Sequence, residues 1–121
     1  MPERVVPPVG PKRDEALALA MGWRKPGYSP YWLSGAKRHR RGKYPAAFST
    51  DDRHLPELLA VIGSKGWDYN LACSTNWVSK YEVGIHIAAT IVVIGGAQTL
   101  MDAFSEALLK ALWTEEKVSD G

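Results

Sequence analysis

The chain's 121 residues and 13.3 kDa, 45% hydrophobic and 23% charged, fit one globular domain and exclude a repeat array, a fibre or a disordered tail. A chain this size buries roughly two-thirds of its unfolded surface, enough for a core without disulfides, and the lone Cys73 cannot form an internal bridge, as expected of an intracellular protein. The net charge of +2 conceals a split, because residues 1–43 carry +7 and residues 44–121 carry −5.

Residues 1–11 hold four prolines and no apolar run of signal-peptide length, and they read as an extended arm. Asp14 to Met21 is rich in helix formers, with acids in its first turn and Gly22 placed as a left-handed C-cap. Trp23 to Leu33 is aromatic but broken by Pro26, Gly27 and Pro30, which predicts an edge strand or two short pieces. Ser34 to Lys43 reads as a polar loop bounded by Gly35 and Gly42. A capping turn over residues 50–54 then leads into a helix whose first residue is about Pro56, carrying Leu58, Leu59 and Ile62 at helical spacing and ending at Gly63 and Gly66.

Trp67, Tyr69, Leu71 and Cys73 alternate with polar or small residues, the period of a half-buried strand. Thr75-Asn76 reads as a hairpin turn, and Trp77 to Ile87 alternates in the same way. Ala89 to Ile94 is apolar on both faces, which predicts a strand in the middle of a covered sheet, broken by Gly95-Gly96. The stretch from Ile85 to Ile94 is about half of a bilayer span, so no membrane segment is expected. Ala97 to Trp113 is the clearest helix, with Thr99 as cap, Asp102 three residues on, and a stripe of Leu100, Phe104, Leu108, Ala111 and Leu112. Residues 114–121 read as a polar tail, leaving one domain over residues 12–113. The order α-β-α-β-β-β-α predicts an α+β fold, a three-layer sandwich of helix, antiparallel sheet and helix.

Met21-Gly22-Trp23, Phe48-Ser49-Thr50-Asp51, and Thr99 followed by Ala103, Ala107, Leu108, Leu109 and Ala111 come in an order and spacing that resembles the phage ABA sandwich domain, a family of small proteins of tailed phages and prophages. The chain departs from it at Ser105-Glu106, where the family often carries Cys-Arg, and at Pro56. The resemblance implies a sandwich of helix, sheet and helix, a phage accessory setting and a family without an established activity; with no targeting or membrane segment expected, the host cytoplasm is the expected location.

Side chains for catalysis are scarce. His39 falls in a basic run, His54 in the capping turn and His86 on a strand, and Cys73 reads as a small core residue. Asp51 and Asp52 stand where caps belong, and no metal-ligand spacing occurs. The expectation is a protein that is not an enzyme, with no cofactor and no metal.

The segment from Lys37 to Lys43 packs five cations into seven residues, flanked by Tyr28, Tyr31 and Trp32 before and Tyr44 and Phe48 after. Like charges so concentrated must be solvated or meet an anion. Cations beside aromatics also suit a base with its phosphate. The candidate ligand-binding set is therefore Trp32, Lys37, Arg38, Arg40, Arg41, Lys43 and Tyr44, gripping a nucleotide-type ligand. Two alternatives stand beside it: nucleic-acid binding through the same segment, and a homo-oligomeric interaction module anchored by Trp77, Tyr81 or Trp113.

Overall fold

The computed structural model describes residues 5–34, 37–41, 45–73 and 80–120, with the backbone alone at residues 37, 40, 41 and 118–120. Helix α1 spans Pro11–Ala20. Strands β1 (Tyr31–Ser34) and β2 (Lys37–Arg41) pair antiparallel as a two-stranded sheet. A single 3-10 turn, Asp52–His54, leads into α2 (Leu55–Ser64). Strands β3 (Asp68–Cys73), β4 (Tyr81–Ala88) and β5 (Ile91–Ala97) form an antiparallel sheet in the order β3-β4-β5, and α3 covers Leu100–Asp120. The architecture is an α+β sandwich, as the helix and strand periods predict, with one strand more than the predicted order: β2 makes it α-β-β-α-β-β-β-α.

Local chemistry sets the helix ends. Pro11 occupies the first turn of α1, where its missing N–H costs nothing. At the other end Gly22 takes φ +93°, and the N–H groups of Trp23 and Gly22 donate to the carbonyls of Ala18 and Leu19 at 2.9 and 3.1 Å. That left-handed closure satisfies orphan carbonyls and turns Trp23 back onto the core. Thr99 caps α3 through Oγ1, which accepts from the Asp102 N–H at 3.2 Å. The helix then runs on through residues 114–120, so the segment read as a polar tail extends α3. Thr114 Oγ1 donates back to the Lys110 carbonyl at 2.8 Å within that extension.

Helix α3 organises the core. It packs on β4 and β5 and on α1 and α2, and its Phe104, Leu108 and Leu112 belong to the same buried core as Leu17, Leu58 and Ile85. On the sheet side its Ala103 and Ala107 meet Gly95, where a Cβ would collide with the Ala103 carbonyl oxygen and lie 2.6 Å from the Ala107 nitrogen. Gly95 therefore continues β5 rather than breaking it: a bare backbone is what lets the strand approach the helix so closely.

Three other expectations are corrected. The basic run is a strand, because its backbone pairs with β1, placing Leu33 opposite Arg38 and Ser34 opposite Lys37. Strand β5 is an edge strand, and its outward side chains Val92 and Ile94 are exposed. Cys73 is exposed at the end of β3 rather than in the core. The Thr75-Asn76 turn and Trp77 lie outside the described residues.

Replacing Gly95 by Ala should cost at least about 1–3 kcal/mol in urea unfolding, because backbone must move to admit the methyl. Gly63, in α2, has open space where a Cβ would stand, and it should instead gain up to about 1 kcal/mol on conversion to Ala.

Candidate functional site

A cleft of about 300 Å³ opens between β2 and the start of α2, lined by Trp23, His39, Ala46, His54 and Glu57. Its floor is a chain of rings. The His39 imidazole stacks on the Trp23 indole at 3.7 Å between centroids and 5° between planes. Trp23 meets Phe48 edge-on at 5.2 Å, and Phe48 meets His54 edge-on at 5.4 Å. Such offset and edge contacts add about 0.5–1.5 kcal/mol each to the burial itself.

Each wall is held from outside the cleft. Asp51 caps the 3-10 turn by accepting from the Arg53 N–H at 3.0 Å, and its carboxylate takes the Arg53 guanidinium at 2.7 Å. The side-chain hydrogen bond from Arg53 holds the Asp51 carboxyl down at about 2. The turn delivers His54 to the N-terminus of α2, where its Nδ1 lies 3.0 Å from Glu57 Oε1. Ala46 and Phe48 are joined by a hydrogen bond from the Phe48 N–H to the Ala46 carbonyl at 2.9 Å, and the Ser49 N–H donates to the buried Asp14 carboxylate at 2.8 Å. The cleft thus combines a stacked aromatic floor, two imidazoles, one carboxylate and the positive end of a helix, bordered by a strand of sequence Lys-Arg-His-Arg-Arg.

Of the predicted binding residues, Trp32 is buried in the core and so is a packing residue rather than a ligand contact. Arg38 is exposed, with its guanidinium 5.2 Å above the Tyr31 ring. Lys37, Arg40 and Arg41 share β2 with His39, but their side chains lie outside the described residues, as do Lys43 and Tyr44 altogether. Sequence reasoning passed over Trp23, Ala46 and Glu57. The available signal was positional: an aromatic directly after a left-handed C-cap is turned inward, and Glu57 lies three residues beyond His54 on a helix start. Among the described residues no group of three His, Cys, Asp or Glu is arranged to hold a metal, and no helix is long and apolar enough to cross a membrane.

No family model and no curated protein matches the chain. Among solved structures it is similar to a phage protein from Bacillus cereus ATCC 14579, with a TM-score of 0.61 and 13% identity over 92% of this chain and 97% of that one. At that identity the likeness is one of fold.

Because the Asp51 carboxyl is lowered by folding, its contribution to stability is present above the ordinary carboxylate range near pH 4 and is lost as pH falls toward about 2. Asp51→Asn, which keeps a cap, should flatten that part of the acid limb when the melting temperature is followed from neutral pH to pH 2.

Proposed function

We propose that this protein is a non-enzymatic accessory protein of a phage or prophage, working in the host cytoplasm by binding a small anionic ligand of nucleotide type. The observation that carries the reading is the His39–Trp23 stack at the edge of a cleft that also holds His54 and the start of α2. A flat heteroaromatic floor accepts a base, while a helix N-terminus and neighbouring cations favour phosphate. At about 300 Å³ the cleft stands at the small end of ligand sites. The phage setting is supported by the likeness of fold to a phage protein, and the motifs that resemble those of the ABA sandwich domain are our ground for proposing that family.

A second reading, nucleic-acid binding, is favoured by one observation: β1 and β2 make a two-stranded ribbon with cations along one strand. A ribbon of that width fits a major groove.

Isothermal titration with linear and cyclic nucleotides separates the two. Saturable binding to a member of the panel, weakened about tenfold or more by His39→Ala and by Arg40→Ala with Arg41→Ala, supports the first reading. No heat from any nucleotide, together with a gel shift on DNA or RNA that weakens steeply as salt rises, overturns it in favour of the second.

A further inference from the structure

Strands β3, β4 and β5 have one face toward α3 and, among the described residues, one face open. Three cross-strand rows make up the open face, and their arrangement is self-complementary. The middle row is Asn70, Gly84 and Ile94, each the direct partner of the next. One step along the strands in one direction lies the row Ala72, Glu82 and Gly96. One step in the other lies Asp68, His86 and Val92. Val92 and Ile94 are exposed by 45% and 57%, among the most exposed large apolar residues of the regular elements.

A two-fold axis drawn along the middle row exchanges the two outer rows. A second copy placed face to face by that axis sets Glu82 against His86 of the second copy, Val92 against Gly96 of the second copy, and Ala72 against Asp68 of the second copy. Acid therefore meets base, and the larger apolar side chain meets the bare backbone, each twice over. His86 then lies between two carboxylates, Asp68 beside it in its own sheet and Glu82 of the second copy. Ile94 packs on its own symmetry mate at the axis, and beside it the Asn70 side chain lies over bare Gly84, which keeps the centre of the face low. We propose that the protein forms a two-fold dimer through this open sheet face, as stacked sheets do with strands nearly aligned.

The outer edge of β5 is a weaker candidate for the same contact. Lys110 on α3 donates to the Ile94 carbonyl at 3.0 Å and is paired with Glu106 at 3.0 Å, placing a cation on that edge where an added strand would have to pair. The edge of β3 carries no such guard among the described residues, and half-exposed Leu71 marks it.

Sedimentation velocity of the full chain over a wide concentration range tests the proposal. The expected species has twice the mass of one 13.3 kDa chain. Ile94→Lys, at an exposed position with an unchanged circular dichroism spectrum, should raise the dimer dissociation constant by about tenfold or more. Glu82→Lys should weaken the dimer, and Glu82→Lys combined with His86→Glu should recover it. A wild-type monomer at every concentration overturns the proposal. So does a dimer indifferent to Ile94→Lys, or one dissociated by Leu71→Lys instead, which would assign the contact to the β3 edge.

Discussion

Arg13 and Asp14, adjacent on the first turns of α1 and both buried, tie together three segments that the chain itself leaves far apart. Arg13 donates to the Pro7 carbonyl at 2.8 Å, to the Asp102 carbonyl at 3.1 Å and to Ser105 Oγ at 3.2 Å, and it forms an ion pair with the Asp102 carboxylate. Asp14 accepts from the Ser49 N–H, and the Ser49 hydroxyl in turn accepts from the Gly10 N–H at 3.0 Å. Charges taken out of water are costly unless each lone pair and proton is matched, and removing one member of a buried pair typically costs about 3–5 kcal/mol. The pair therefore fixes the start of α1 against the start of α3 and pins the segment around Phe48 against both. The cleft depends on that pinning, since Phe48 supports the rings of Trp23 and His54.

The second constraint is the contact of Gly95 with Ala103 and Ala107. It brings β5 close against α3, and the helix in turn packs on α1 and α2. The far face of the sheet is open among the described residues. The aromatic cleft is lined from elsewhere, by Trp23, by His39 of β2, by Ala46, and by His54 and Glu57 at the start of α2. The proposed ligand cleft and the proposed dimer face share no residue, and neither has to be broken for the other to form.

Where side chains repeat with a clean period, the elements were legible: α2, α3 and the alternating part of β4 follow from spacing alone, as do the Thr99 cap and the left-handed Gly22. What could not be read was set by tertiary partners. Strand β2 has no apolar alternation to betray it, because its residues are cations and a histidine, and it becomes a strand by pairing with β1. Gly95 looks like a strand breaker until the helix behind it is known. Both-face apolarity in β5 normally marks a central strand, and here it marks an edge with an open face. The same logic explains the site. The basic run drew notice to the right stretch of chain, but Trp32 goes into the core while Trp23, brought in by a helix cap, supplies the ring.

The central claim is that the cleft at Trp23, His39 and His54 is where the protein meets its ligand. A titration of isotope-labelled protein with a bound nucleotide, followed by 1H–15N correlation spectra, tests it most directly. The account predicts that the Trp23 indole N–H and the amides of His39, Ala46 and His54 move first and furthest, while the amides of β4 and β5 stay in place. Shifts centred on Glu82, His86 and Ile94, or none at the Trp23 indole, would contradict it.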